Sequence, residues 1–121
     1  MQKKNKVKVN ILELNTLING KILTNMRKEK DFTHAFASDL MSDVLCVDKE
    51  SLLLITGLST MQTIRTAEMS NADCIVIARG KCVSKEMIDL AERNGAMIIN
   101  TDKSVFSVSG ILYRNGIRPV Y

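Results

Sequence analysis

Aromatic side chains are scarce in this chain of 121 residues. Tryptophan is absent, aromatic residues make up 4% of the sequence, and there is one proline. Proteins that hold single-stranded nucleic acid without sequence preference stack its bases on aromatic side chains, so the scarcity argues against that class. The core must instead be aliphatic, built from isoleucine, leucine, valine and the seven methionines.

The cysteines provide neither a disulfide framework nor a metal site. Cys46, Cys74 and Cys82 are an odd number without a CxxC spacing, and His34 is the single histidine. This set matches no known zinc-site spacing and cannot form a closed set of disulfides. We therefore expect reduced thiols in a cytoplasmic protein, with no metal and no cofactor. Cys82 lies in a polar loop and is the candidate reactive thiol.

Long apolar runs are also missing. No run approaches the ~20 residues of a membrane span, and the lysine-rich start is not followed by the apolar stretch of a signal peptide. We therefore expect no membrane segment.

The positive charge is confined to one end of the chain. Of 17 basic and 13 acidic side chains, the excess is accounted for by four lysines in the first eight residues, which contain no acid. We predict a basic N-terminal tail over residues 1–8 and a single neutral domain over residues 9–121. A neutral body argues against nucleic acid as a partner.

The second half of the chain alternates between short apolar runs and helical patterns. The runs 51–56 (SLLLIT), 74–78 (CIVIA) and 96–100 (AMIIN) are typical of strands buried on both faces of a sheet. Helices are predicted to begin at Ser59, with Gln62 completing a capping box, at Ser84, with Gly95 ending that helix, and at Asp102, with Gly116 ending that one. This alternation predicts the α/β class: a single three-layer domain with a mostly parallel sheet flanked by helices.

The first part of the chain is predicted to form shorter elements. In order, they are a helix over 11–18 capped by Asn10, a turn at Asn19-Gly20, a short strand over 21–25, a charged loop over 26–31, an extended segment over 32–37, and a short helix from Ser38 or Asp39 to about Leu45.

The loops after the three predicted parallel strands are candidates for a binding site. Ligands of such sheets bind beyond the carboxyl ends of the strands, here the segments 56–59, 79–81 and 100–102. Arg79 and Lys81 flank a glycine, so together with the helix start at Thr56-Gly57 they are suited to a phosphate or a carboxylate. Glycine, serine and aspartate are equally what any tight strand-to-helix turn requires, which leaves a purely structural role open.

The standard enzyme motifs are not present. The chain has no GxGxxG, and Gly80-Lys81 has neither the preceding glycine nor the following hydroxyl of a P-loop. An enzyme centred on His34 with Asp39 or Asp43 is an alternative, and the two aspartates, four residues apart, would share one helical face and could bind a hard cation. No convergent catalytic set is evident, so we expect no enzymatic activity.

One stretch of sequence resembles a known family. Residues 29–45 (EKDFTHAFASDLMSDVL), followed by Thr56-Gly57, Arg79-Gly80-Lys81 and Asn100-Thr101-Asp102, resemble the signature of the DRTGG domain family. Glu29-Lys30 stands where that family has Asp-Arg; Thr33 is retained, and His34-Ala35 replaces the two glycines. Any function that depends on a glycine-lined site at this point is thereby altered.

The resemblance implies a fold and a role. It implies a fold like the N-terminal domain of HPr kinase/phosphorylase, and a regulatory module that occurs beside nucleotide-binding domains of the cystathionine-β-synthase type or alone near hydrogenase components. Family members are commonly dimers. We therefore expect a non-enzymatic, homodimeric regulatory or accessory module that senses a nucleotide or phosphorylated metabolite or docks on a partner enzyme, which the resemblance suggests is hydrogenase-associated. For docking, the candidate exposed apolar residues are Phe32, Phe36 and Met41, although a place in the core is the favoured expectation for all three.

The candidate ligand-binding residues combine the strand-end loops with the motif region. They are Thr33, His34, Ser38, Asp39, Thr56, Gly57, Ser59, Arg79, Gly80, Lys81, Thr101 and Asp102. The alternative function is a small RNA-binding α/β protein, which the strand, loop, helix and strand rhythm of residues 74–99 would also fit.

Overall fold

A six-stranded sheet organises the chain. The computed structural model describes residues 8–25, 30–47 and 51–121, so most of the predicted basic tail and residues 26–29 of the predicted charged loop lie outside the described residues. The elements are β1 (Val9–Asn10), α1 (Ile11–Leu17), β2 (Lys21–Ile22), β3 (Asp31–Phe32), β4 (His34–Ala37), α2 (Met41–Val44), β5 (Leu52–Thr56), α3 (Met61–Met69), β6 (Ala72–Ile77), α4 (Lys85–Asn94), β7 (Met97–Asn100), α5 (Val105–Arg114) and β8 (Arg118–Pro119).

The sheet is mostly parallel, as the sequence predicts. Its order is β2-β7-β6-β5-β4-β8, and the strands from β7 through β6, β5 and β4 to β8 are parallel to their neighbours. Strand β2 alone is antiparallel, paired with β7, while β1 and β3 form a separate two-stranded ribbon. The three apolar runs of the second half are therefore adjacent and point the same way.

Alternate residues of these strands pack on opposite faces of the sheet. One face, called here the three-helix face, lies against α2, α3 and α4; the other, the α1/α5 face, lies against α1, α5 and the β1-β3 ribbon. Strand side chains on the three-helix face include Leu52, Leu54, Ile75, Ile77 and Ile98, and those on the α1/α5 face include Leu53, Ile55, Cys74, Val76 and Ile99. This burial on both sides explains why the strands read as continuous apolar runs.

Two helix starts differ from the predicted ones by one or two residues. Helix α3 is capped by Thr60, whose hydroxyl accepts from the Thr63 N–H, and not by Ser59, whose hydroxyl instead donates to the Cys82 carbonyl. Helix α5 is capped by Ser104 and not by Asp102. The caps of α1 at Asn10 and α4 at Ser84, and the left-handed end of α4 at Gly95 (φ 79°), are as predicted.

Helix α2 is shorter than predicted. It begins after Leu40, has no side-chain cap, and includes neither Ser38 nor Asp39. The expectation that Asp39 and Asp43 share a helical face is therefore wrong, since Asp39 lies at the end of β4 and bonds to the end of β5 instead.

The predicted docking residues are largely buried. Phe32 is fully buried on the α1/α5 face, and Met41 is 6% exposed on the three-helix face. Phe36 packs against the three-helix cluster and makes an edge-to-face contact with Tyr121 at 5.8 Å. The three residues therefore lie in the core or pack against it, as favoured from the sequence, and do not form an exposed docking patch.

Candidate functional site

The loops that follow the parallel strands meet at one edge of the sheet. We call this edge the rim: residues 38–39 after β4, 56–59 after β5, 79–81 after β6 and 101–102 after β7. The Gly57 N–H donates to Asp39 Oδ1 at 2.6 Å, and the Gly80 N–H donates to the Thr101 carbonyl at 3.0 Å. These bonds place Gly57, Gly80 and Thr101 along a common edge, as the prediction of three adjacent parallel strands requires.

Asp39 connects the ends of β4 and β5. Its Oδ1 accepts from the Gly57 N–H and, at 2.9 Å, from the Thr56 hydroxyl; that hydroxyl in turn accepts from the Leu58 N–H at 3.1 Å. Thr56 is fully buried. The amide and hydroxyl that the sequence offers to a ligand anion are thus already satisfied by an internal carboxylate, so Thr56 and Gly57 shape the rim.

Arg79 has an uncommon backbone conformation. Its φ is 68° and that of Gly80 is 65°, so two consecutive residues lie in the left-handed region. The Arg79 N–H donates to the Lys103 carbonyl at 2.8 Å, which together with the bond from Gly80 to Thr101 holds the turn. A left-handed conformation costs about 1–2 kcal/mol at a residue other than glycine. Such strain at an exposed charged residue is typical of functional loops.

Gly57 makes room for the Arg79 side chain. A β-carbon at Gly57 would lie 2.9 Å from Arg79 Cδ and 3.1 Å from its Nη1, both closer than contacts between real atoms allow without movement. The same position is 3.4 Å from Asp39 Oδ2. The Arg79 side chain, in the loop after β6, therefore lies across the end of β5.

The side chains of Ser59 and Asn100 bind backbone carbonyls of the loop that follows β6. The Ser59 hydroxyl donates to the Cys82 carbonyl, and the Asn100 amide donates to the carbonyls of Ile77 and Lys81 at 3.2 and 3.1 Å. The sequence places Asn100 at a strand end but gives no sign of this organising role, because its two acceptors are backbone groups far away in the chain.

Thr101 also serves the structure. It is 3% exposed, its hydroxyl donates to the Ile18 carbonyl at 2.8 Å, and its oxygen accepts from the Lys103 N–H at 3.2 Å. This predicted site residue therefore joins the rim to the end of α1.

Five of the predicted site residues are at the rim and exposed: Asp39, Arg79, Gly80, Lys81 and Asp102. They present two cationic and two anionic side chains around a glycine. Among the described residues, no group of three or more histidine, cysteine, aspartate or glutamate side chains could hold a metal ion.

Thr33 and His34 lie away from the rim. His34 begins β4 opposite Arg118, and its Nδ1 is 2.9 Å from the Thr33 hydroxyl. The three strand residues that follow carry the chain about 10 Å further to the rim. The structure therefore does not bring His34 together with Asp39.

The basic residue of the family-like pair makes an ion pair. Lys30 Nζ lies 3.0 Å from Asp73 Oδ2, and both side chains are about one-third exposed. Partly exposed pairs of this kind contribute up to about 1 kcal/mol. Lys30 thus fastens the chain before β3 to the start of β6, away from the rim.

The three cysteines differ in environment. Cys74 is fully buried in β6, and burial, with a smaller contribution from the neighbouring Asp73 charge, raises the pKa of its thiol. Cys46 and Cys82 are exposed. A buried thiol with a raised pKa is inert towards electrophiles at neutral pH.

The fold and the rim define a class of protein: mixed α/β domains in which a mostly parallel sheet carries charged loops at the carboxyl ends of its strands. A solved structure with this fold is the CBS and DRTGG domains of the regulatory region of Clostridium perfringens pyrophosphatase, complexed with its activator, diadenosine tetraphosphate. The TM-score is 0.76 at 15% sequence identity, over 97% of this chain and 54% of that one. The chain thus spans about half the length of that structure.

This similarity establishes a shared fold. It agrees with the DRTGG-like architecture that the sequence predicts, and the neighbour is a regulatory region and not a catalytic one. No family model and no curated protein matches the sequence. No helix among the residues described in the structure is long and apolar enough to cross a bilayer.

Proposed function

We propose that this chain is a non-enzymatic, homodimeric regulatory or accessory module that senses a nucleotide or phosphorylated metabolite at the rim. The observation that carries the proposal is the strained, exposed turn at Arg79-Gly80-Lys81, which has two cationic residues next to the carboxyl ends of the parallel strands.

The side chains at the rim favour a ligand with more than one kind of polar group. The guanidinium of Arg79 offers a planar pair of donors to a phosphate, and Lys81 adds a second positive charge. Asp39 and Asp102 are acceptors for hydroxyl or amino groups, and would repel a bare anion. A phosphate attached to a sugar satisfies both sets, which is the reason for preferring nucleotides and sugar phosphates over inorganic phosphate.

The comparison supports the choice of nucleotides as the first compounds to test. The neighbouring regulatory region was crystallised with a dinucleotide activator, so a domain of this fold occurs in a nucleotide-controlled assembly.

A thermal-shift screen tests the ligand. We expect a nucleotide or phosphorylated metabolite at millimolar concentration to raise Tm in a saturable way, since a ligand at about 100 times its Kd stabilises the folded state by about 2.7 kcal/mol. The Arg79→Ala variant is expected to lose this shift. Arg93→Ala, which removes an equal charge from an exposed position in α4, is the matched control and is expected to keep it. The absence of any shift, or an equal shift in Arg79→Ala, would contradict the proposal.

Homodimerisation is supported by one edge of the sheet and by an exposed apolar surface. Among the described residues, β2 ends the six-stranded sheet on one side, and Leu45 and Met69 are 51% and 64% exposed near the hydrogen bond that joins α2 to α3. Edges and apolar surfaces of this kind are commonly covered by a second copy. Sedimentation equilibrium at roughly tens of micromolar is expected to give twice the mass of the chain; a monomer would refute this part of the proposal.

The accessory role requires a partner enzyme. On the basis of the resemblance to stand-alone DRTGG proteins, we propose a hydrogenase component as the partner. We expect that component to co-purify with the tagged chain. Recovery of the chain alone from cells that contain the enzyme would argue against it.

A further inference from the structure

A groove of about 340 Å³ opens on the α1/α5 face, between α5 and the strands β4 and β8. Its floor is formed by Ala35, Ala37 and Ile55, and Gly110 of α5 forms part of its wall. The other wall comes from the chain around β8, including Arg118 and Pro119. No rim residue lines it.

The groove exists because small residues occupy positions where large ones would fill it. Strand β4 places only alanines, at 35 and 37, on this face, whereas the neighbouring β5 places Leu53 and Ile55 there. On α5, a β-carbon at Gly110 would meet nothing within 4 Å. Glycine within a helix costs about 1 kcal/mol relative to alanine, and this glycine relieves no steric conflict within the described chain.

Two aromatic side chains stand exposed on the helix that borders the groove. Phe106 is 88% exposed and Tyr113 is 66% exposed; they are seven residues apart and hence on one face of α5. The chain has only three phenylalanines and two tyrosines. Exposed aromatic residues beside an apolar cleft are typical of protein-binding surfaces, where they supply much of the binding energy.

The charge around the groove identifies the kind of occupant. Residues 103–121 contain Lys103, Arg114 and Arg118 and no aspartate or glutamate. Arg118 lines the groove, and Arg114 is exposed at the end of α5. A second copy packed on this face about a two-fold axis would bring arginines towards arginines, which is unfavourable, whereas an acidic partner would complement them.

We propose that this groove is the docking surface for a different polypeptide, through an acidic segment that inserts one apolar side chain over Ala37 and Gly110 and places carboxylates against Arg114 and Arg118. The inference rests on the accessory role proposed above, and it is independent of ligand sensing because the two surfaces share no residue. The proposal locates the accessory role at the groove and predicts that the partner contains an acidic segment with one apolar anchor residue.

Selection from a displayed library of random dodecapeptides on the purified full chain tests the proposal. We expect enrichment of peptides in which an aromatic or aliphatic residue is flanked by aspartate or glutamate, and we expect their affinity to fall as salt is raised. Failure to enrich any peptide, or enrichment of peptides without acidic residues, would overturn it.

Variants of the groove and of its charge complete the test. Gly110→Leu adds a side chain to the wall of the groove, at a position where a β-carbon would meet nothing within 4 Å, and is expected to weaken the best peptide at least tenfold in fluorescence polarisation. Ser107→Leu, exposed on the same helix and outside the groove, is the control. Arg118→Glu is expected to weaken the peptide by a similar factor, and Arg93→Glu is not. Retention of binding in Gly110→Leu would refute the site.

Two further outcomes separate this inference from its alternatives. If sedimentation shows a dimer that Gly110→Leu dissociates, the occupant is a second copy and the proposal is wrong. Peptide affinity is expected to be unchanged in Arg79→Ala, and any nucleotide-induced shift in Tm is expected to be unchanged in Gly110→Leu, so failure at one surface is distinguishable from failure at the other.

Discussion

The two faces of the sheet are covered to different degrees. On the three-helix face, α2, α3 and α4 enclose a continuous set of large aliphatic side chains, including Leu54 and Ile75 at 0% exposure. On the α1/α5 face, two helices and a small ribbon leave the β4 and β8 side open, with Phe106 exposed beside it. The difference suggests that one face provides the stability of the fold while the other retains surface for recognition.

The largest expected change in stability comes from a substitution on the three-helix face. Leu54→Ala is expected to lower the free energy of unfolding by about 2–5 kcal/mol, because a fully buried leucine leaves a cavity that surrounding helices cannot fill. Tyr113→Ala on the α1/α5 face is expected to change the free energy of unfolding by less than about 0.5 kcal/mol. Urea unfolding of both variants measures the contrast, and equal losses would abolish the distinction between the two faces.

The next largest effect concerns the rim, where the two faces meet. Asp39→Ala removes the acceptor of the buried Gly57 N–H and is expected to cost about 1–3 kcal/mol of stability. Asp39→Asn keeps an acceptor oxygen and is expected to recover a large part of that loss. Asp43→Ala, at an exposed position in α2, is the control and is expected to be nearly neutral. A loss in Asp43→Ala equal to that in Asp39→Ala would show that Asp39 has no special role.

Stability at alkaline pH tests the interior of the α1/α5 face. The pKa of Cys74 is raised in the folded state, whereas an unfolded thiol titrates near pH 8.5, so the folded state binds more protons above that pH. Stability is therefore fully present below about pH 8.5 and falls above it by up to about 1.4 kcal/mol per pH unit. Chemical unfolding from pH 7 to 10 measures this slope.

Cysteine variants test whether this slope comes from Cys74. Cys74→Ala is expected to remove most of it, and Cys46→Ala, at an exposed position, is expected to retain it. An unchanged slope in Cys74→Ala would assign the alkaline loss to other groups.

The smallest expected effect is a gain. Arg79→Gly releases a left-handed strain and is expected to raise the free energy of unfolding by up to about 1 kcal/mol while abolishing nucleotide-induced stabilisation. Asn71→Gly changes another left-handed residue, with φ 62°, to glycine and is the control; asparagine tolerates this conformation, so the gain should be smaller and ligand response unaffected. A loss of stability in Arg79→Gly would show that the turn is held by the side chain.

The parallel core could be predicted from the sequence for a clear physical reason. Strands β5, β6 and β7 are buried on both faces, so their sequences are unbroken apolar runs, and α4 has both its serine cap and its terminal glycine at the expected places. In this part of the chain, the apolar runs and helix-end residues predict the same structure that tertiary packing produces. The prediction that Gly57 and Gly80 lie at one edge of the sheet follows from the parallel order of these strands.

The prediction fails where neighbouring polar residues compete for one role. Ser59, Thr60 and Asp102 can all cap helices, and the choice is decided by distant partners such as the Cys82 carbonyl, which lies 23 residues from Ser59. The sequence places Asp39 at the start of a helix, because its actual partner, the Gly57 N–H, lies 18 residues away and leaves no local signal. The groove could not be predicted from the sequence, because alanines in a strand are common core residues. Only the position of α5 shows that these alanines leave space beside it.

The bond from Thr101 to the Ile18 carbonyl spans 83 residues, and β2 pairs with β7, which follows it by about two thirds of the chain length. Such remote pairing slows folding, because a long loop must close before its contacts form. During synthesis, the apolar residues of α1 can meet Val9 and Phe32 early, whereas their contacts with β7 and α5 form only after those later elements have left the ribosome.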